Sequence, residues 1–350
     1  MADTALNLLV EELRQPDGRR LWIVDENIPP QLLPPQPNTQ VIGNRFDLIR
    51  AMRQQGWNAE LSDFDLSQWP ASSLEKLIYR VSKEKAVVHH LINEAARVLR
   101  PDGELILIGD KGEGIKTYAR KAQQRLGGSK EEQKQGSVWR VTVSLGEADS
   151  ALLDDQDYPL LRDFQPADAE LYLTKPGLFG WNKIDRGSAF LVENLAAMTG
   201  QALPLEGRIL DLGCGFGYLA LNACATSAAL TCTDNNAAAL IACRANLNAR
   251  QFTQAEVIAS DAGDSLEGTF DIILCNPPFH AGFGVEGDLT DRFLRQARRL
   301  LDSNGTACFV VNQHIPLERK ARGLFARIHC HADNGHFKLV QLKEPVNKPQ

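Results

Sequence analysis

The sequence predicts an α/β protein with two doubly wound, mostly parallel sheets in tandem. In the second half of the chain, apolar runs alternate with helical patterns, which is typical of a parallel sheet with helices on both faces. A length of 350 residues favours two domains over one. Residues 97–108 also echo residues 299–310, each with a helix end, a turn and a buried strand. This echo indicates an internal duplication, with chance similarity of two α/β halves as the alternative.

The second half begins with a strand and a glycine-rich turn. Residues 208–212 form a short apolar run, and Gly213, Gly215 and Gly217 follow before a helical pattern. Glycines let the backbone pass close to a ligand and let a helix begin tightly. The spacing lacks the last glycine of the dinucleotide fingerprint, which disfavours a nicotinamide-dependent oxidoreductase.

Two aspartates end the next two predicted strands. Asp234 closes residues 230–234, where a carboxylate can accept hydrogen bonds from both hydroxyls of a ribose. It could also cap the helix predicted at 237–249, and the two roles are compatible. Asp261 follows residues 255–260 and could meet the exocyclic amine of an adenine, although a turn role is the simpler interpretation of a lone aspartate.

The most informative motif is Asn276-Pro277-Pro278-Phe279, directly after the apolar run 270–275. The carboxamide can accept hydrogen bonds, the prolines fix the loop and the ring can stack, so the motif can grip a planar amino group. Alone, it could be a turn that closes a strand. Because all four candidate sites fall at carboxyl ends of parallel strands, where ligands collect, the combination indicates methylation of an amine nitrogen.

Residues 170–345 resemble the class I methyltransferases that use S-adenosylmethionine, and within them the Asn-Pro-Pro-Phe/Tyr amino-methyltransferases. The resemblance rests on the joint occurrence of Asp-x-Gly-x-Gly-x-Gly and Asn-Pro-Pro-Phe. It implies a Rossmann-like, seven-stranded sheet with an antiparallel last strand. For the cofactor, it implies Asp211, Gly213, Gly215 and Gly217 at the methionine moiety, Asp234 at the ribose, Asp261 at the adenine and Asn276 beside the cofactor. For the substrate, it implies that Asn276 and the Pro277 carbonyl hold the target amine, while Pro278 and Phe279 contact the base.

His280 and residues 175–188 are similar to the bacterial ribosomal RNA guanine-N2 methyltransferases. Residues 181–184 depart from the family pattern, whereas Asp185, Gly187 and Ser188 keep their register. The resemblance implies N2 methylation of a specific guanine in the 16S RNA of the 30S subunit, with His280 as a substrate contact. A 23S RNA enzyme, a DNA adenine or protein glutamine methyltransferase, and an RNA chaperone for ribosome assembly remain as alternatives.

The first half keeps the predicted strands but lacks the motifs. Residues 21–27 begin like the glycine-turn strand without its glycines, and residues 80–83 replace Asn-Pro-Pro-Phe. A nucleotide has to approach the backbone closely, and the side chains at these positions would block that approach. We therefore interpret residues 1–150 as a degenerate methyltransferase-like domain without cofactor that supports RNA binding, 151–165 as a linker and 166–350 as the catalytic domain.

Composition favours a cytoplasmic protein. Hydrophobic residues make up 43%, and the N-terminus lacks a secretory signal. No run approaches the ~20 apolar residues of a membrane helix. The seven cysteines have no C-x-x-C spacing, which suits reduced thiols. We expect a monomer that does not contact membranes.

The distribution of charge is compatible with RNA binding. The net charge is −6, but residues 291–350 carry 11 basic and 5 acidic side chains. Arg292 and Arg295 have helical spacing and are predicted RNA contacts, with a solvated helix face as the alternative. Histidines cluster between 329 and 336, but a hairpin that turns at 332–335 explains them, so we expect no metal.

Overall fold

The structure is a computed structural model that describes residues 3–15, 18–166, 170–278 and 286–346. The chain divides into two compact units, Met1–Leu160 (unit 1) and Leu161–Gln350 (unit 2). Residues of the predicted linker fall in both, because Tyr158 is buried in unit 1 and Arg162–Phe164 forms a strand of unit 2. Across the described ranges, no helix is long and apolar enough to cross a membrane.

Unit 1 is a seven-stranded sheet in the order β3-β2-β1-β4-β5-β7-β6, with helices beside it. The pairs β5–β7 and β6–β7 are antiparallel and the other pairs are parallel. Its elements are α1 (Thr4–Leu13), β1 (Arg20–Val24), β2 (Thr39–Gly43), α2 (Phe46–Gln54), β3 (Asn58–Leu61), β4 (Leu74–Arg80), α3 (Lys85–Val98), β5 (Leu99–Asp110), α4 (Ile115–Leu126), β6 (Gly127–Gln135) and β7 (Val138–Leu145).

Unit 2 repeats this order as β12-β11-β10-β13-β14-β16-β15 and adds a small sheet, β8-β9. The repeated order confirms the two tandem domains. Its elements are β8 (Arg162–Phe164), β9 (Tyr172–Thr174), α5 (Arg186–Thr199), β10 (Arg208–Leu212), α6 (Tyr218–Ala223), β11 (Ala229–Asp234), α7 (Ala237–Ala249), β12 (Glu256–Ala259), β13 (Phe270–Cys275), α8 (Glu286–Leu300), β14 (Leu301–Asn312), α9 (Leu317–Ala321), β15 (Phe325–Asp333) and β16 (Phe337–Pro345).

The predicted C-terminal hairpin is confirmed. Strands β15 and β16 pair antiparallel, and the turn between them spans residues 334–336. Where the structure describes the chain, no group of three or more His, Cys, Asp or Glu side chains is placed to hold a metal ion.

The central strands of unit 2 are covered on both faces, as expected for parallel strands. Side chains alternate along β10, so that Ile209 packs in the core beneath α5, α6 and α7, whereas Leu210 and Leu212 pack in the core beneath α8 and α9. Asp211 shares the face of Ile209 and is fully buried. Because β12, β11, β10 and β13 pair in parallel, their carboxyl ends reach the same edge of the sheet.

Candidate active site

The glycine turn after β10 has a backbone that other residues rarely adopt. Gly213, Gly215 and Gly217 have φ angles of +86°, +54° and +93°. A Cβ at Gly217 would lie 3.2 Å from Cys243 Sγ, whereas a Cβ at Gly215 would meet no atom within 4 Å. The turn is therefore tight against α7 on one side and open at Gly215, so its backbone can face a ligand.

Asp211 supports this turn from behind. Its Oδ2 accepts a hydrogen bond from Ala220 N at 3.2 Å, and its Oδ1 is buried with no hydrogen bond to any described residue. Burial raises the pKa of Asp211 well above its ordinary value. Asp211 thus holds the start of α6 and does not lie on the open surface.

Asp234 connects the glycine turn to the neighbouring strand end. Its Oδ2 accepts from Gly215 N at 3.0 Å and its Oδ1 accepts from Asn236 N at 2.9 Å. The alternative role as the cap of α7 is wrong, because the cap is Asn236, whose side chain accepts from Ala238 N at 2.9 Å. Asp234 therefore stays at the strand end beside the turn.

Asp261 and Arg292, predicted to serve different ligands, pair with each other. The Arg292 guanidinium on α8 donates to the Asp261 carboxylate. Farther along α8, Arg299 donates to the carbonyls of Gly263 and Leu266, so part of the basic face of this helix holds the loop after β12. The predicted contact Arg295 is exposed.

Asn276 has a fixed amide group. Its Nδ2 donates to Asp185 Oδ1 and to Ser188 Oγ, each at 2.8 Å. Its Oδ1 is buried and makes no hydrogen bond within the described ranges. Pro277 is buried and Pro278 exposed, while the predicted contacts Phe279 and His280 lie outside the described residues. Asp185 and Ser188 were not predicted as site residues, although their retained register in the family pattern was a signal for such a role.

These groups lie along one edge of the sheet. The strands β12, β11, β10 and β13 are neighbours, and their carboxyl ends lead in that order to Asp261, Asp234, the glycine turn and Asn276. The chain leaves β10 for β11 on one side, while β13 pairs on the other, which makes a topological switch point. The prediction that the four motifs share this edge is confirmed.

The matching edge of unit 1 carries different residues. Leu77 pairs with Leu105 in unit 1 as Ile273 pairs with Ala307 in unit 2, which places Arg80 at the position of Asn276. By the same registers Val24 stands for Gly213 and Gly43 for Asp234. Asp63 stands for Asp261, since each precedes a residue with positive φ, Phe64 at +56° and Ala262 at +51°.

Side chains of unit 1 occupy that edge themselves. Arg80 is buried and donates to Glu113 at 2.9 Å, and the buried Tyr158 donates to Asp63 at 2.7 Å. A Cβ on Gly43 would lie 2.6 Å from Val24 Cγ2, so the Val24 side chain fills the space beside Gly43.

The fold and this site define a class I methyltransferase. The features that define it are the glycine turn after β10 at the switch point, the acid at the end of β11 and Asn-Pro-Pro after β13. Two family models agree: Methyltransferase small domain matches residues 171–341, and Methyltransferase small domain N-terminal matches residues 10–139.

Similar curated proteins include several named Ribosomal RNA small subunit methyltransferase C. The Shewanella loihica protein is 31% identical over 303 residues, which are 85% of this chain and 84% of the relative. The Shewanella amazonensis protein is 29% identical over 285 residues, 79% and 80% of the two chains. The chain therefore belongs to the ribosomal RNA small subunit methyltransferase C family, as the sequence resemblance predicted.

A solved structure has the same fold over nearly the whole chain. The T. thermophilus 16S rRNA N2 methyltransferase (RsmC), in complex with AdoMet and guanosine, has a TM-score of 0.81 at 24% identity. The match covers 98% of this chain and 92% of that one, so the likeness includes both units.

Proposed function

We propose that unit 2 transfers the methyl group of S-adenosylmethionine to the N2 amine of a specific guanine in 16S ribosomal RNA. Membership of the family supports the reaction class and the RNA. The observation that carries the chemistry is the Asn276 amide, whose oxygen is buried and unpartnered among the described residues at the edge that holds the glycine turn. A hydrogen-bond acceptor left in this state suits an amino group as its ligand.

The residues present fit the cofactor. Gly213, Gly215 and Gly217 would offer open backbone to the methionine moiety, and Asp234 would accept from the ribose hydroxyls. Asp261, whose charge Arg292 balances here, would accept from the adenine amine. S-adenosylmethionine supplies a methyl group activated by a positive sulfur. Asp211 contributes by holding the turn.

The amine needs help because its lone pair is delocalised into the guanine ring. The Asn276 oxygen and the Pro277 carbonyl would each accept one amino hydrogen, which favours a more pyramidal nitrogen as positive charge develops. Placing the reacting atoms ~3–3.5 Å apart provides much of the remaining acceleration. The methylated nitrogen is acidic while it still carries its extra proton, so water can remove that proton.

The substrate base has to leave any helix that it occupies. Stacking on Phe279, with contacts from Pro278, His280, Arg292 and Arg295, would hold a flipped-out or unpaired guanine. Unit 1 would support RNA binding without a cofactor of its own, since Val24, Arg80 and Tyr158 fill the matching edge. We expect the protein to act as a monomer in the cytoplasm.

The test is the Asn276→Ala variant, assayed on 30S subunits from a strain that lacks the enzyme. The turnover rate should fall by about 10²–10³-fold while S-adenosylmethionine affinity by calorimetry is unchanged, because one transition-state acceptor is lost. Asn194→Ala is the matched control, since the Asn194 amide donates to Phe190 O within α5. Near-wild-type turnover by Asn276→Ala would refute the amine clamp.

Mass mapping of guanines in the RNA of the same strain tests the substrate. Loss of one N2-methylguanine from 16S RNA is expected. Loss from 23S RNA, or from no RNA, would refute the assignment.

A further inference from the structure

A carboxamide has two nearly identical orientations with opposite chemistry. One presents the carbonyl oxygen as an acceptor, and the other presents the NH₂ group as a donor. Because a target amine is itself a donor, only the first orientation of Asn276 can hold it. Some part of the protein must therefore select that orientation before the substrate arrives.

The partners of Asn276 differ in their ability to select. Asp185 Oδ1 and Ser188 Oγ both lie 2.8 Å from Asn276 Nδ2. A serine hydroxyl can donate or accept, so Ser188 would tolerate either orientation. An ionised carboxylate can only accept, so the reversed amide would place its oxygen against the Asp185 oxygen, at the cost of a lost hydrogen bond and of repulsion.

The position of Asp185 is itself fixed. It caps α5, because the same Oδ1 accepts from Ser188 N at 2.8 Å. Helix α5 packs against β14 and β16 of the sheet. A Cβ at Gly187 would lie 3.1 Å from Asp185 Oδ1 and from the Phe337 ring, so the absence of a side chain there allows this close approach.

We propose that Asp185, assisted by Ser188, is a positioning residue that holds the Asn276 amide with its oxygen toward the substrate amine. The inference rests on the proposed function, because it concerns the same amide and the same acceptor. Asp185 itself does not contact the reacting atoms. It acts through the orientation of Asn276, so what matters is its acceptor oxygen at this point and not its negative charge.

Two variants of one residue separate these properties. Asp185→Ser keeps a good helix cap, but its hydroxyl is too short to reach the amide. Asp185→Asn keeps the cap and an acceptor oxygen, since the oxygen that caps α5 is the one that faces Asn276. We expect the turnover rate on 30S subunits to fall about 30-fold in Asp185→Ser and only about 3-fold in Asp185→Asn and in Ser188→Ala, at unchanged S-adenosylmethionine affinity.

A second measurement does not depend on activity. In protein labelled with ¹⁵N-asparagine, the side-chain NH₂ signals of Asn276, assigned with Asn276→Ala, should show slow hydrogen exchange in the wild type and in Asp185→Asn. In Asp185→Ser the exchange should become fast, while the melting temperature confirms an intact fold.

The outcomes distinguish this inference from the proposed function. Asp185→Ser with turnover within threefold of the wild type, or with unchanged exchange of the Asn276 amide, would overturn the positioning role. Loss in Asp185→Asn as large as in Asp185→Ser would overturn it too, because charge would then be the active property. If the exchange pattern holds but the wild type methylates no ribosomal RNA, the proposed function fails and the orientation of Asn276 stands.

Discussion

The two units have the same strand order, but the carboxyl edge of the sheet is open in unit 2 and filled by side chains in unit 1. In unit 2 the carboxyl edge presents open backbone at Gly215 and an unpartnered buried oxygen on Asn276, within the described part of the chain. In unit 1 the matching edge is filled by Val24, Arg80 and Tyr158, which bind or pack against other residues of that unit. The buried apolar strands maintain the fold in both, while a few strand-end residues determine whether a ligand can enter.

The replacements in unit 1 are mutually adapted. Unit 2 has Gly213 directly after β10 and Asp234 at the end of the neighbouring β11, whereas unit 1 pairs Val24 with Gly43, whose missing Cβ leaves room for the valine. Asp63 remains at the strand end but receives the Tyr158 hydroxyl. A buried polar group needs a partner, and in unit 1 the Tyr158 side chain supplies one to Asp63.

The largest effect is expected from making the open edge of unit 2 resemble the filled edge of unit 1. Gly215→Asp should weaken S-adenosylmethionine binding at least about 100-fold, or roughly 2.7 kcal/mol, by placing a second carboxylate beside Asp234. Gly268→Asp is matched, because Gly268 also has positive φ and no atom within 4 Å of an added Cβ. Calorimetry on both should show a loss only at 215. Equal affinities would mean that the glycine turn is not the cofactor site.

Removal of the residue that fills the edge of unit 1 should mainly affect stability. Arg80→Ala leaves Glu113 without its buried partner and should lower the free energy of unfolding of unit 1 by about 2 kcal/mol. Tryptophan fluorescence in urea is a suitable probe, since four of the five tryptophans lie in unit 1. Lys85→Ala, which breaks the exposed ion pair with Asp154, should change the free energy of unfolding by less than about 0.5 kcal/mol. If the two variants were equally stable, Arg80 would not hold this edge.

Removal of the Tyr158 hydroxyl should cause a smaller loss of stability. Burial raises the pKa of Tyr158 well above its ordinary value, so the hydroxyl stays a donor to Asp63. Tyr158→Phe should destabilise unit 1 by about 1 kcal/mol in the same urea experiment. Tyr172→Phe is the control and should leave this unfolding transition of unit 1 unchanged, because the Tyr172 hydroxyl donates to Asn222 within unit 2. A larger loss in the control would contradict the proposed role of Asp63.

Much of this architecture could be predicted from sequence because its signals lie in short stretches of the chain. The echo of residues 97–108 in 299–310 predicted the tandem sheets, the turn residues 332–335 predicted the C-terminal hairpin, and strand-helix alternation predicted the shared edge of the four motifs. The pairing of Asp261 with Arg292 was not predicted, since it joins a loop to a helix 31 positions away. The cap of α7 was assigned to Asp234 as an alternative because Asp and Asn are both good caps, and only backbone geometry distinguishes them.

Tyr158 also determines where unit 1 ends as a folding unit. Its ring is fully buried beside Phe64 and His90, although it lies 13 positions beyond the last strand, Val138–Leu145. A polypeptide that ends at Leu145 would keep every strand of this sheet but would lose Tyr158, a buried part of its hydrophobic core. To separate the two units, the chain should therefore be divided after Leu160. The first part of the predicted linker contributes to the core of unit 1.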